Sequence, residues 1–293
     1  MDQAQRLREI IYSSKLQRSN ESEATPAIRD ARIITVSSGK GGVGKTNFTV
    51  NLAIALSRLG KSVSIIDADL GLANIDVVLG LVPKYTLSHV IRNEKEIKDI
   101  ILNGPNGIRV ISGGSGVMDL VNLNVEEISR LIESLEFLND DSDYILIDTG
   151  AGLSQSVISF IEAASDVVMV ITPDPTSITD AYAVIKNIAS EEKSIKVVVN
   201  RVDSNKEGQN VFHKLNSAAK KFLNVELDNL GYIYEDSNVK KSVRSQSPFL
   251  LEHPNCLASR GVELIAYNIE NNKTFTGSTS GFTKFIEKLF KAN

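Results

Sequence analysis

From residue 32 onward, short apolar runs alternate with amphipathic stretches of helix length. RIITVSS (32–38), SVSIID (62–67), GIRVIS (107–112), DYILID (143–148), DVVMVITP (166–173) and IKVVVN (195–200) are continuous and rich in β-branched residues, with LGYIY (230–234) as a further run. Such runs suit strands buried on both faces of a parallel sheet. Helix patterns lie between them near 45–59, 124–138, 153–164, 177–189, 206–222 and 236–245. The alternation predicts an α/β fold: a doubly wound, mostly parallel sheet with helices on both faces, over residues 31–270.

Two regions fall outside that rhythm. Residues 1–30 are polar overall and contain Pro26, and NNKTFTGSTSG (271–281) reads as a Gly/Ser/Thr linker before FTKFIEKLFKAN (282–293). In this last segment Phe282, Phe285, Ile286, Leu289 and Phe290 follow the spacing of one helical face, opposite Lys284, Glu287, Lys288 and Lys291. A short helix with bulky apolar and cationic faces on a flexible tether is suited to a lipid headgroup layer; the competing arrangement is packing against its own domain. At the front, Ala4, Leu7 and Ile11 share a helical face with Ile10 beside it, and Asp2 is a candidate N-cap. So short a helix is marginal alone in water and is expected to order on a partner.

Composition narrows the class. The chain has 293 residues, 42% hydrophobic and 23% charged, the balance of a globular protein with a large core. No apolar run approaches the roughly 20 residues of a spanning helix, and the start has no basic-then-apolar secretory pattern, so a cytoplasmic protein is expected. A single cysteine, Cys256, excludes an internal disulfide. A net charge of −4 argues against nucleic acid as the partner of the whole surface. His89, His213 and His253 lie far apart without metal-ligand spacing.

The strongest chemical signal is SSGKGGVGKT, directly after the first strand. Gly39 to Thr46 satisfies G-x-x-x-x-G-K-[ST] in the strand–loop–helix setting that motif requires. Gly39, Gly41, Gly42 and Gly44, with Val43 between, let successive backbone N–H groups face phosphate oxygens, and the helix near 45–59, with Asn47 in its first turn, adds its positive end. Lys45 is positioned for the β- and γ-phosphates and the Thr46 hydroxyl for Mg²⁺. Two carboxylate segments accompany the loop: IIDADLGLANID (65–76), with Asp67 and Asp69 past the second strand, and YILIDTGAG (144–152), a strand ending in Asp148.

Lys40 stands where the general motif leaves the residue free. KGGVGKT with these carboxylates resembles the MinD/ParA family of deviant Walker A ATPases, P-loop NTPases of the SIMIBI type. The resemblance implies ATP/ADP and Mg²⁺ as cofactors and an ATP-bound homodimer in which Lys40 reaches the partner's nucleotide. It also implies that Asp69 orients the attacking water, that Asp67 lies near the metal, that Asp148 holds Mg²⁺ through water, and that Gly152 offers its N–H to the γ-phosphate. Asn74 matches a position toward the dimer interface, while Gly150 stands where many relatives have proline.

VVVNRVD ends with Asn200, Arg201 and Asp203, partly like the guanine-reading N-K-x-D pattern, so GTP is an alternative to ATP. In the resembling ATPases the asparagine contacts adenine, and a later segment, here Gly231 to Asp236, supplies further contacts; Arg201, Tyr234 and Asp236 are carried over on that basis. DQAQRLR (2–8) and GYIYEDSNVKKSVRSQSP (231–248) resemble the FlhG branch of flagellar number and placement regulators. There the arm, here Asp2, Gln3, Ala4, Leu7 and Arg8, stimulates the partner GTPase FlhF, and flagellar C-ring proteins are further partners. The branch also uses a C-terminal helix for reversible membrane association. The alternatives are a ParA-type DNA-segregation ATPase, for which NVKKSVR (238–244) would be the phosphate-binding patch, and a MinD-type division-site regulator.

Overall fold

The computed structural model describes residues 31–69, 74–114, 136–164, 166–189, 194–271, and Phe285 and Leu289. The arm (residues 1–30), most of the 124–138 helix pattern and most of the last segment lie outside these residues.

Eight strands form one sheet: β1 (Arg32–Ser38), β2 (Val63–Ala68), β3 (Leu102–Asn103), β4 (Arg109–Ile111), β5 (Tyr144–Ala151), β6 (Asp166–Ile171), β7 (Ser194–Val202) and β8 (Asp228–Tyr234). Their spatial order is β3-β4-β2-β5-β1-β6-β7-β8. Every pairing is parallel except the short β3–β4 contact at one edge. Both faces of β2 and β6 are buried along their whole length, as the unbroken apolar runs require. The chain first builds outward from β1 on one side and then crosses to β6 on the other. That reversal opens a crevice at the carboxyl end of β1, where ligands of doubly wound sheets collect.

The longer helices are α1 (Lys45–Arg58), α2 (Gln155–Ala163), α3 (Pro175–Ile188), α4 (Asn205–Leu223), α5 (Ser237–Arg244) and α6 (Leu257–Asn271). α1 and α6 share one core layer, including Phe48, Leu52, Val262, Ile265 and Ile269; α2, α3 and α4 share the other, including Phe160, Ile185 and Leu215. Ser154 and Ser204 cap α2 and α4 by accepting from Val157 N–H and Glu207 N–H.

α6 was not foreseen by the helix pattern. Gly261 interrupts it at mid-length, which weakens helix propensity. The glycine is there for packing, because a Cβ at 261 would stand 2.8 Å from the Tyr232 carbonyl oxygen of β8. The short β3 and the brief helices Ile75–Leu79, Leu87–Ile91 and Ile97–Ile100 are likewise too small for periodicity to reveal.

Candidate nucleotide site

β1 delivers the glycine loop into the crevice. Gly39 turns it back against α3, where a Cβ would lie 2.2 Å from the Asp180 backbone carbon. Gly42 and Gly44 take φ of 78° and 92°, which only glycine adopts without strain. Above Gly41 and Gly42 a Cβ would meet nothing within 4 Å, so the loop's outer side is open to a ligand. α1 starts at Lys45 with no side-chain cap on Gly44, leaving its positive end to an anion.

Asp148 is the hub beneath the loop and is fully buried. Its Oδ2 accepts from Thr46 Oγ1 at 2.7 Å and its Oδ1 from Thr49 Oγ1 at 2.9 Å. Lys45 Nζ is 2.9 Å from Oδ1, a buried ion pair that is out of line for a hydrogen bond. A buried ammonium whose protons are not accepted by the protein, beside an open glycine loop, fits a phosphate. A hydroxyl and a carboxylate 2.7 Å apart fit the oxygen donors that Mg²⁺ prefers.

Sheet register places the second carboxylate. β2 and β5 align Asp67 with Asp148. Burial, then the Asp148 charge, pushes Asp67 up to about 6, against three backbone donors. Those donors show a structural role for it. Asp67 Oδ1 accepts from Asp69 N–H at 3.0 Å, and Oδ2 from Asn74 N–H at 2.9 Å and Ile75 N–H at 3.1 Å. Both oxygens thus hold the backbone around Asp69, so Asp67 organises that segment from a place beside Asp148, where the family resemblance puts it near the metal. Asp69 is half-buried, with Asn74 Nδ2 donating to Oδ2 at 3.4 Å, and a Cβ at Gly150 would stand 3.7 Å from Oδ1.

Two expectations change. Gly152 takes φ 88°, but its N–H donates to the Ser38 carbonyl at 3.0 Å, stitching the end of β5 to β1 rather than facing a γ-phosphate. Lys40 points back along its own chain, with Nζ donating to Asp174 Oδ2 at 2.7 Å and Thr176 Oγ1 at 2.6 Å. Hydrogen bonding from Lys40 holds the exposed Asp174 carboxyl below its usual value.

Beside the loop lies a cavity of about 310 Å³ lined by Gly44, Asn47, Phe48, Asn200, Arg201, Tyr234, Asp236, Val239 and Phe249, among others. Asn200, Arg201, Tyr234 and Asp236 therefore come together as the motifs predict, yet two of their side chains are already committed. Asn200 Nδ2 donates to the Val43 carbonyl at 2.7 Å, holding the phosphate loop from beneath. Asp236 caps α5 through Asn238 N–H at 2.9 Å and ties in α6 through Leu257 N–H at 3.0 Å. Sequence reasoning missed the apolar walls Phe48, Val239 and Phe249, for which periodicity carries no signal. It also missed Asn51, buried in α1, which bonds the Asn47 carbonyl and the Leu250 N–H at 2.7 and 2.8 Å and so fixes the wall that carries Phe249.

Asp2, Gln3, Ala4, Leu7 and Arg8 lie outside the described residues, as do Phe282, Ile286 and Phe290. Phe285 and Leu289, expected on a lipid-facing side, are 3% and 5% exposed and belong to the core layer of α2, α3 and α4. Among the described residues no helix is long and apolar enough to cross a membrane.

Residues 29–270 match the ParA family model described as NUBPL iron-transfer P-loop NTPase. The chain is 39% identical over 265 residues to the antiactivator FleN of Pseudomonas aeruginosa, covering 90% of this chain and 95% of that protein. It is 35% identical over 267 residues to the flagellum site-determining protein YlxH of Helicobacter pylori, covering 89% and 90%. Among solved structures, the cell division ATPase MinD of Pyrococcus furiosus superposes with a TM-score of 0.67 at 29% identity, over 82% of this chain and 98% of that one. With its glycine loop, its Lys45–Thr46–Asp148 hub and these matches along most of its length, the chain belongs to the ParA/MinD family of P-loop NTPases.

Proposed function

We propose that this protein is an ATP-hydrolysing switch that sets flagellar number or placement by stimulating an FlhF-type GTPase. One observation carries the hydrolytic half: Lys45 and Thr46 converge on the buried Asp148 carboxylate behind a glycine loop that is open on its outer side. The loop amides and Lys45 bind the phosphates, and the adenine enters the cavity between Phe48 and the α5 wall. Thr46 and Asp148 are the residues that would hold Mg²⁺, which supplies positive charge against the phosphates. Asp69, half-buried near Gly150, orients the water that attacks the γ-phosphate. Lys40, once released from Asp174, serves as the cation that reaches a second copy's nucleotide in an ATP-bound homodimer.

The regulatory half is supported by the identity to FleN and YlxH and by the arm pattern of Asp2, Gln3, Ala4, Leu7 and Arg8. Flagellar C-ring proteins are further partners on this reading. Reversible membrane association through Phe282, Phe285, Ile286, Leu289 and Phe290 requires that Phe285 and Leu289 first leave the core. A slow turnover suits a switch, whose output is the population of two states.

The test is to mix the chain with an FlhF-type GTPase and follow GTP hydrolysis with and without residues 1–30, alongside ATP hydrolysis by the wild type and Asp69→Ala. Stimulation that requires the arm, and an ATP dimer that accumulates in Asp69→Ala, are expected. An unstimulated GTPase, or undiminished ATP turnover in Asp69→Ala, would refute the respective half.

A further inference from the structure

We propose that Thr49 is a positioning residue for Mg²⁺: its buried hydroxyl keeps the Asp148 carboxylate aimed while Lys45 and Thr46 serve the nucleotide. The inference rests on the proposed reading of the loop as an ATP site. It adds a residue that lies outside the glycine motif and outside both carboxylate segments.

Thr49 lies in α1 three residues beyond Thr46, so the two side chains share one face of the helix. That face meets β5, where Asp148 stands in register with Val36 of β1 on one side and Asp67 of β2 on the other. Strand pairing fixes the backbone of Asp148, but its carboxylate is aimed by side chains. Thr46 Oγ1 donates to Oδ2 at 2.7 Å and Thr49 Oγ1 to Oδ1 at 2.9 Å. Each oxygen thus has its own hydroxyl, and rotating the carboxylate would break both bonds.

Lys45, Thr46 and Thr49 differ in what else they must do. Lys45 Nζ stands 2.9 Å from Oδ1 without a hydrogen bond, and on the proposed reading its charge serves the phosphates. Thr46 is half-buried at the loop, and on the same reading its hydroxyl oxygen serves Mg²⁺. Thr49 is fully buried one turn further into the helix, so no ligand in the loop competes for its proton. When Lys45 turns to a phosphate, Thr49 is the donor that stays on Oδ1.

A threonine inside a helix also has a local bonding choice, the carbonyl four residues back. Thr49 Oγ1 is 3.1 Å from the Lys45 carbonyl. One hydroxyl proton therefore faces two acceptors. The carboxylate is the nearer and the charged one, and a charge-assisted bond is roughly twice as strong as a neutral one. Carboxylates that hold metals depend on such partners for their orientation, and losing one costs about 10- to 100-fold in metal affinity.

The test separates metal from nucleotide. N-methylanthraniloyl-ADP is titrated into the full-length protein in EDTA and across a Mg²⁺ series, for wild type, Thr49→Val, Thr49→Ser and a control, Thr35→Val. Thr35 is equally buried, in β1, but its hydroxyl has no hydrogen-bond partner among the described residues. Thr49→Val should raise the half-saturating Mg²⁺ concentration about ten- to a hundredfold and move binding in EDTA by no more than about threefold. Thr49→Ser, which keeps the hydroxyl, and Thr35→Val should stay within about threefold of wild type in both conditions. Equal losses with and without Mg²⁺, or a Thr49→Ser as weak as Thr49→Val, would overturn the proposal, since either assigns Thr49 to the packing of α1. If Thr49→Val does not fold, Thr49→Ala carries the same comparison. A wild type whose nucleotide binding gains nothing from Mg²⁺ refutes the ATP-site reading and this inference with it. A wild type that depends on Mg²⁺ beside an unmoved Thr49→Val refutes this inference alone.

Discussion

Lys40 Nζ lies 2.7 Å from Asp174 Oδ2, both on the rim of the same site. The lysine that the family resemblance assigns to a partner's nucleotide is thus engaged at home, at the N-terminus of α3, together with Thr176 Oγ1 at 2.6 Å. The bond is exposed, and exposed ion pairs are weak. On the proposed reading it is a light restraint that an ATP-bound dimer would displace.

Asp174→Ala removes that restraint without touching the glycine loop. The dimer fraction at a fixed ATP-analogue concentration, read by analytical ultracentrifugation, should rise about two- to fivefold, in keeping with the strength of an exposed pair. Lys40→Ala should lower it. A lower dimer fraction in Asp174→Ala would mean that Asp174 positions Lys40 for the partner.

Asn200 has its amide on the Val43 carbonyl at 2.7 Å, and a Cβ on Gly44 would come 2.5 Å from the same Nδ2. The loop therefore rests on Asn200. Asn200→Ala leaves the carbonyl unpaired in a buried place, which costs about 1–2 kcal/mol. Fluorescent ATP and ADP should both bind about tenfold more weakly. Equal loss for GTP analogues would show support of the loop, whereas selective loss of adenine nucleotides would show base contact.

Asp236 ties α5 to α6, and its pKa sets a pH limit. Burial raises the value, but the N–H groups of Asn238 and Leu257 outweigh it and hold the carboxyl below its ordinary 3.8. A depressed carboxylate stabilises the fold above its unfolded pKa and loses that contribution as pH falls through the folded value. Asp236→Ala should lose about 1 kcal/mol of capping at neutral pH, a fall of about 2–4 °C in melting temperature. The gap to wild type should close as pH falls below the ordinary carboxylate range and through the depressed folded value. A gap that persists in acid would locate the loss in packing instead.

Phe285 and Leu289 are buried with α2, α3 and α4, so they contribute to stability whenever they are docked. Truncating either to Ala should cost up to about 2–5 kcal/mol, limited by the free energy of undocking the segment alone. Thermal unfolding measures this, and vesicle sedimentation of the same variants measures lipid binding. Unchanged stability with lost vesicle binding would leave the membrane as the site where these residues act.

The main strands and the glycine loop could be read from the sequence because each depends on neighbours in the chain. The unbroken run at 32–38 reappears as β1 residue for residue, and Gly39 to Thr46 leads from it into α1. α6 could not be read this way. Its Gly261 answers to the Tyr232 carbonyl, a contact with β8 that no local pattern encodes.

The same division runs through the site. Residue types and spacing determined that a phosphate loop, its lysine and threonine, and strand-ending carboxylates were present, because glycine conformations and strand–loop–helix order are local properties. Only the tertiary structure decided what each did with its atoms. Parallel register set Asp67 beside Asp148, leaving the former to bind backbone N–H groups and the latter to gather Lys45, Thr46 and Thr49. The packing of distant segments turned Asn200 under the loop, spent Gly152 on Ser38 and took Phe285 and Leu289 into the core. Those outcomes depend on which groups meet across a sheet, and residues more than a hundred positions apart meet only once the chain has folded.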